Sequence, residues 1–241
     1  MPAFIDPTLP RLRSCCPLLS ALSIFASTRI RHGLRLGVLL LALAFCQVRA
    51  WDVNRVLEAA AAMGPRTLSE ARALQAVVDK AASQDAPKRL EMINDFFNKH
   101  IQYGEDIDVW GQIDYWAAPL EALDKGRGDC EDYAIGKYFS LLAAGVPQAQ
   151  LRMVYVRAMF QGRSQAHMVL AFYEQPTAVP VILDNLIPEI RPASQRPDLT
   201  PVFSFNGEGL WSGVGATSAG NPVLRLSQWR DVLNKAKQEG F

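Results

Sequence analysis

The chain has 241 residues, of which 49% are hydrophobic and 20% are charged, and its formal net charge is +1. The charge is unevenly distributed, because residues 1–50 carry six arginines and one acid, whereas residues 51–241 carry 19 basic and 23 acidic side chains. Residues 51–241 carry more acidic than basic side chains and so lack the basic surface that neutralises phosphates. We therefore exclude nucleic acid as a partner. The length is sufficient for one domain with a sizeable core.

The N-terminal region has the pattern of a secretory signal. Three arginines precede an apolar run from Leu36 to Cys46, which ends shortly before the small residue Ala50. The run is shorter than the roughly 20 residues that a bilayer span needs, so an uncleaved anchor is the less favoured alternative. We expect residues 1–50 to be a signal peptide region cleaved near Ala50, and residues 51–241 to form a single domain of an exported protein.

The cysteines support a functional thiol. Cys15, Cys16 and Cys46 lie in the predicted signal region, so Cys130 is the one cysteine of the predicted mature chain. A lone thiol in an oxidising compartment cannot form an internal disulfide and is a liability unless it has a use. The structural alternative is a buried cysteine that acts as a small hydrophobic residue.

The first segment of the mature chain is predicted to be helical. Residues 50–82 are rich in Ala, Leu, Glu and Arg, and Gly64-Pro65 interrupts them. Thr67 and Glu70 have the three-residue spacing of a capping box, which predicts that a second helix starts there.

Pro87 is expected to open the next helix, which ends at His100. We interpret His100 as a structural residue, because a basic side chain suits the end of a helix. Apolar residues recur at helical spacing and predict a face that packs in the core; they are Leu90, Ile93, Phe97 and Ile101.

The following segment, residues 103–118, shows no clean periodicity and predicts a structured loop with several acidic residues. Gly126 and Gly128 then allow a sharp turn before Cys130. The pattern after Cys130 predicts a helix that continues to about Ala144, where Gly145-Val146-Pro147 stops it.

The second half of the chain has the composition of strands. Three short β-rich runs lie at 151–160, 166–174 and 178–186. Residues 161–165 predict a hairpin loop, residues 191–222 show no regular pattern, and a short helix with Trp229 and Leu233 on one side closes the chain. Helices followed by an antiparallel sheet predict an α+β fold, with the N-terminal helical half packed on the C-terminal sheet.

Cys130 is a good candidate nucleophile. It follows Asp129 and opens a predicted helix, where unpaired N–H groups and the helix dipole favour a thiolate and lower the thiol pKa. The backbone N–H of Cys130 is also placed to stabilise an oxyanion.

His167 and Asp184 are the candidate base and its orienting group. An imidazole can deprotonate the thiol and later protonate the leaving amine, and it needs an acceptor on its other nitrogen. Neighbouring antiparallel strands can place His167 and Asp184 side by side. Taken alone, each residue is more often structural, but the order Cys130, His167, Asp184, at separations of 37 and 17 residues, favours a catalytic triad.

These residues lie in a pattern that resembles the transglutaminase-like cysteine proteases, and more closely the bacterial LapG-type periplasmic proteases. The resemblance covers roughly residues 85–190. It implies a papain-like fold and the triad Cys130, His167 and Asp184. The segments that carry it are Tyr115-Trp116 with Pro119 and Glu121, GRGDCEDYAIGKYFSLLAAGVP (126–147), AHMVLAFY (166–173) and LDNL (183–186).

The resemblance also implies a biological role. Proteins of this type are periplasmic, calcium-dependent endoproteases that cut a large surface adhesin near its N-terminal retention module. The cut releases the adhesin and disperses biofilm. An inner-membrane receptor that senses cyclic di-GMP sequesters and inhibits the protease when the nucleotide is abundant.

Calcium ligands are implied by the same resemblance, which assigns them to Asp129 and Glu131. The residues alone leave the question open, because acids in the first turn of a helix favour its dipole without any metal. A cation would offset the rise in thiol pKa that carboxylates cause. Calcium needs six to eight oxygen ligands, so we expect further ligands from the acidic loop 105–114.

Several alternatives remain open from the sequence. A transglutaminase or other acyltransferase would use the same thioester chemistry, and a non-catalytic binding module could keep the same fold. A metal-binding structural protein is possible only with oxygen ligands, because too few His and Cys remain for a zinc site. Trp116 could line the cleft or the oxyanion hole, or could equally be a core aromatic; the residues alone assign no role to Trp110 and Trp211.

Overall fold

The structure is a computed structural model that describes residues 51–215 and 218–241. The predicted signal region, residues 1–50, lies outside the described residues. Among the helices of the described ranges, none is both long enough and apolar enough to cross a bilayer.

The helices begin and end close to the predicted positions in the first half of the chain. They are α1 (Val53–Met63), α2 (Pro65–Ala82), α3 (Ala86–His100), α4 (Asp106–Val109), α5 (Pro119–Lys125), α6 (Cys130–Ala143), α7 (Pro222–Arg225) and α8 (Ser227–Glu239).

The break between α1 and α2 is confirmed, but the predicted capping box is wrong. Gly64 has a φ of 140° between the two helices, and Pro65 is the first residue of α2. Thr67 therefore lies inside the first turn and is fully buried, and its hydroxyl donates to the Asp124 carboxylate. The proline starts the helix because its fixed φ suits that position.

The apolar face of α3 is buried as its periodicity predicts. Leu90, Ile93, Phe97 and Ile101 are each at most 3% exposed. His100 stacks on Phe96, with ring centroids 4.1 Å apart, and its Nδ1 lies 2.7 Å from Glu70 of α2. These contacts make His100 a structural residue.

The strands form two separate groups. A short parallel pair joins β1 to β2, with Gln102 opposite Arg127 and Tyr103 opposite Gly128, and it ties the acidic loop to the segment before Cys130. The main sheet is antiparallel, in the order β6-β5-β4-β3-β7-β8-β9. The strands are β1 (Gln102–Tyr103), β2 (Arg127–Gly128), β3 (Leu151–Phe160), β4 (Arg163–Phe172), β5 (Val181–Leu183), β6 (Arg191–Pro192), β7 (Leu199–Phe205), β8 (Leu210–Ser212) and β9 (Ser218–Gly220).

The sheet differs from the prediction in three places. The hairpin loop has two residues rather than five, because Gln161 and Gly162 both adopt positive φ and complete a tight turn. Strand β5 has only three residues, so Asp184 follows the strand rather than lying in it. The irregular-looking segment after Arg191 supplies four strands, because pairing with β3 and β5 overrides its weak local propensity.

The main core lies between the helices and one face of the sheet. Helix α6 is at its centre, and the fully buried side chains around it include Phe97, Ile135, Tyr138 and Trp229. Alternation along β3 and β4 gives the other face of the sheet a smaller cluster, which contains Val154 and Val169. The α+β fold, with helices packed on an antiparallel sheet, is confirmed.

Candidate active site

Cys130 is the first residue of α6, as predicted, and is mostly buried. Its thiol donates to Glu131 Oε2 at 2.9 Å, and the backbone amide of Met168 in β4 is close enough to lower the thiol pKa slightly. The helix start and the segment that contains His167 therefore meet at the thiol.

The electrostatics of Cys130 differ from the expectation for a helix N-terminus. Burial, followed by the neighbouring charges of Glu131 and Asp129, raises the pKa of the Cys130 thiol well above its usual value. The dipole alone predicted a lowered pKa, but desolvation and two adjacent carboxylates outweigh it. A thiolate at this position requires something that neutralises the carboxylates.

His167 and Asp184 form a buried pair. His167 is 2% exposed, and its Nε2 lies 2.8 Å from Asp184 Oδ1. The register of β4 and β5 sets Leu170 opposite Leu183. This register leaves the side chains of His167 and Asp184 on the same face of the sheet. With Nε2 engaged by the carboxylate, Nδ1 is the ring nitrogen left for proton exchange.

Asp184 is held in its ionised form. Burial alone would raise its pKa, but the hydrogen bond and charge of His167, the hydrogen bond from Arg196 and the backbone N–H of Leu186 lower the pKa to about 2. An ionised Asp184 can accept a hydrogen bond from the Nε2–H group of His167 and stabilise an imidazolium.

Three residues that support Asp184 were missed by reasoning from the sequence. Arg196 donates to Asp184 Oδ2 at 2.7 Å, and the backbone carbonyl of Asp184 accepts from Asn98 at 2.9 Å and from Lys137 at 3.0 Å. Lys137 is fully buried in α6, and its burial lowers its pKa to about 7. A single lysine inside the apolar run of α6 was the one hint available.

A cluster of carboxylates lies beside Cys130, and two segments of the chain supply it. Asp129, Glu131 and Asp132 come from the start of α6, and Asp106 and Asp114 come from the acidic loop. Oxygens of Asp106, Asp114 and Glu131 lie within 4.8 Å of one another, as do oxygens of Asp106, Asp129 and Asp132. The loop thus brings further potential ligands to the two residues predicted from the resemblance.

The cluster has the chemistry of a site for a hard cation. One oxygen each of Asp106, Asp129 and Asp132 is buried without a hydrogen-bond partner. Burial, together with neighbouring acids, raises the pKa of Asp106 to about 6, of Asp132 to about 8 and of Asp129 to about 10. Converging oxygens with no donor are the ligands that calcium prefers, so the residues fit this ion.

Trp116 packs against the core beside this cluster. Its ring stacks on Phe205, with centroids 5.7 Å apart, and its Nε1 donates to Asp114 at 3.0 Å. Trp211 lies further along the sheet, under the Arg152 guanidinium. The contacts of Trp116 agree with the core interpretation and also link it to the acidic loop.

An α+β fold with a cysteine at a helix start and a buried His–Asp pair on the adjoining sheet defines a papain-like or transglutaminase-like cysteine protease. A family model described as bacterial transglutaminase-like cysteine proteinase matches residues 66–198. The chain belongs to this family and is a cysteine protease.

Solved structures of LapG from Legionella pneumophila are similar to the chain over most of its length. The EGTA-treated form is 38% identical with a TM-score of 0.69, covering 77% of this chain and 97% of LapG. The calcium-bound form is 39% identical with a TM-score of 0.66, covering 76% and 98% respectively. The comparison with curated proteins finds no match.

Proposed function

We propose that the protein is a calcium-dependent cysteine endoprotease in which Cys130, His167 and Asp184 form the catalytic triad. The observation that carries the proposal is the buried His167–Asp184 hydrogen bond of 2.8 Å, on the sheet next to the helix that begins with Cys130. The family assignment and the order of the three residues support the same roles.

The roles proposed for the three residues define the reaction. Cys130 Sγ attacks the peptide carbonyl carbon after giving its proton to His167 Nδ1, and the Cys130 backbone N–H stabilises the oxyanion. His167 then protonates the leaving amine, which leaves a thioester on Cys130. Water deprotonated by His167 hydrolyses the thioester, while Asp184 keeps the Nε2 proton in place.

We assign calcium binding to Asp129 and Glu131, with Asp106, Asp114 and Asp132 as further candidate ligands. The buried oxygens without donors support this assignment, and so does the calcium-bound form of LapG. When bound, the cation neutralises the carboxylates beside the nucleophile and thereby favours the thiolate. Asp129 and Glu131 then also hold the start of α6 against the acidic loop.

The resemblance to LapG-type proteases supports a particular substrate and setting. We propose that the protein is exported through residues 1–50, with residues 51–241 as the single mature domain, and acts in the periplasm. Its substrate would be the N-terminal region of a large surface adhesin, whose release disperses biofilm. An inner-membrane cyclic di-GMP receptor would inhibit it by sequestration.

The test is a cleavage assay with purified protein and the N-terminal region of a candidate adhesin, in calcium or in EGTA. We expect one discrete cut that requires calcium and is lost in Cys130→Ala and in His167→Ala, with the fold retained. Cleavage by Cys130→Ala would contradict the mechanism, and full activity in EGTA would remove calcium from it. No cut, with a thiol that still reacts with an alkylating agent, would favour an acyltransferase.

A further inference from the structure

We propose that Arg196 is a positioning residue for catalysis, which fixes the carboxylate of Asp184 in the orientation that His167 requires. The inference rests on the proposed triad. It concerns a residue that lies outside the nucleophile, the base and the carboxylate cluster.

Both oxygens of the Asp184 carboxylate are engaged. Oδ1 accepts from His167 at 2.8 Å and from the backbone N–H of Leu186 at 3.0 Å, whereas Oδ2 accepts from Arg196 Nη2 at 2.7 Å. The Asp184 and Arg196 side chains are 0% and 1% exposed, so no solvent competes for these bonds. Rotation of the carboxylate would break a charge-assisted bond in a site that excludes water.

The guanidinium is itself held from the other side. Arg196 Nε donates to both oxygens of Asp198, at 3.0 and 3.2 Å, and Nη2 donates to Asp198 Oδ2 at 2.7 Å. The backbone carbonyl of Asp198 accepts from the Met159 N–H at 2.8 Å, which ties this segment to β3. The planar guanidinium group of Arg196 therefore has a fixed orientation where it donates to Asp184.

The backbone at Asp184 is fixed independently of Arg196. Asn98 from α3 and Lys137 from α6 both donate to the Asp184 carbonyl. The freedom that remains to the residue is rotation of its side chain, and Arg196 restricts that rotation. Loss of Arg196 would let the carboxylate turn away from Nε2, so that the His167 proton could move to Nδ1, the nitrogen that must accept the thiol proton.

The experiment compares Arg196→Ala and Arg196→Lys with the wild type and with Arg191→Ala, an exposed arginine five residues away. For each protein we would measure kcat and KM on the adhesin fragment, the thermal midpoint, and the tautomer of His167 from long-range 1H–15N spectra. His100 serves as an internal reference in the same spectra.

We expect Arg196→Ala to lower kcat by about ten- to a hundredfold, as is typical for partners of catalytic groups, with KM within about twofold. The Nδ1–H tautomer of His167 should increase, and added guanidinium ion should restore part of kcat. Arg196→Lys should retain more activity than Arg196→Ala, because lysine keeps the positive charge, but less than the wild type, because it lacks the planar guanidinium group. Arg191→Ala should behave as the wild type.

Wild-type kcat and an unchanged tautomer in a folded Arg196→Ala would overturn the proposal. If Arg196→Ala does not fold, Arg196→Lys decides the question, and a lowered thermal midpoint without any change in kcat or tautomer would show a purely structural role. Cys130→Ala is assayed in parallel. Its continued cleavage would refute the triad itself, whereas an inactive Cys130→Ala beside fully active Arg196 variants would refute only the role of Arg196.

Discussion

At the scale of single residues, Asp184 is the point where hydrogen bonds from several elements meet, and in the proposed triad it orients the base. Its side chain and backbone accept hydrogen bonds from five groups, which come from helices, strands and loops far apart in the chain. Two of the side-chain partners, His167 and Arg196, are donors that approach different oxygens of one carboxylate. A group with two acceptor oxygens is therefore required at this position.

We predict that Asp184→Asn slows cleavage by about a thousand- to ten-thousandfold, on the scale of the same substitution in serine protease triads. An amide offers one acceptor oxygen to two donors, so its NH2 group must face His167 or Arg196. The variant should also lower the free energy of unfolding by about 1–3 kcal/mol, because Arg196 loses one of its two charged acceptors while its bonds to Asp198 remain.

The measurements for Asp184→Asn are kcat on the adhesin fragment and urea unfolding. Asp231→Asn, an exposed site, is the matched control and should change neither quantity. Wild-type kcat in Asp184→Asn would remove this residue from the mechanism.

At the scale of elements, the position of α6 depends on its contact with α3. Gly136 of α6 lies against the buried ring of Phe97, and a Cβ built on Gly136 would be only 2.7 Å from Phe97 Cδ1. The two helices therefore approach closely at this point. α6 begins with Cys130, and α3 carries Asn98, so this contact sets the nucleophile relative to the backbone of Asp184.

We predict that Gly136→Ala lowers the free energy of unfolding by about 1–3 kcal/mol, because the added methyl group overpacks a filled core. Helix propensity alone predicts the opposite sign, a gain of up to about 1 kcal/mol. Urea unfolding distinguishes the two.

The matched test adds Phe97→Leu, which removes the ring that the methyl group would meet. The double variant should be more stable than the sum of the two single changes predicts. If Gly136→Ala raises the free energy of unfolding, the two helices can move apart without loss of stability, and the prediction is wrong.

At the scale of the whole molecule, the carboxylate cluster connects the acidic loop to α6. When no cation is bound, burial and repulsion from neighbouring acids raise the pKa of three of its members above the ordinary aspartate value of 3.8, to about 6 for Asp106, about 8 for Asp132 and about 10 for Asp129. A carboxyl group with a raised folded-state pKa contributes stability that is complete below its unfolded pKa. That contribution is lost as the pH rises through the folded value.

We therefore predict that, in EGTA, the free energy of unfolding falls as the pH rises from about 5 to about 9. The contribution of Asp184 has the opposite sign, because its pKa is lowered to about 2, but it changes only below about pH 4. Lys137, whose pKa is lowered to about 7, also opposes the fall between about pH 7 and 9, but it is one group against Asp129 and Asp132, so the fall becomes shallower there and does not reverse. Calcium should remove most of the fall, and at a hundred times its Kd it should add about 2.7 kcal/mol.

Urea unfolding at pH 5, 7 and 9, in calcium and in EGTA, tests this prediction. Asp129→Asn should flatten the profile in EGTA and weaken the effect of calcium. Stability in EGTA that does not depend on pH, or that rises across this range, would contradict the repulsion between the carboxylates.

Local patterns in the sequence determined much of the molecule. The periodicity of α3 and α6, the break at Gly64-Pro65 and the two strands around residue 162 follow from spacing and turn chemistry, which act between near neighbours. The same patterns predicted a cysteine at a helix start and His167 beside Asp184, although Asp184 follows β5 and does not lie in it. The motif around Cys130 was sufficient to indicate the family.

Only the tertiary structure decided which distant groups meet at the site. Asp106 joins Asp129 and Asp132, and Arg196 reaches Asp184, through contacts that leave no local periodicity. The strands after residue 198 also escaped prediction, because pairing with β3 stabilises a segment whose composition favours turns. The raised pKa of the Cys130 thiol has the same origin, since burial and neighbouring charges depend on the folded arrangement rather than on sequence spacing.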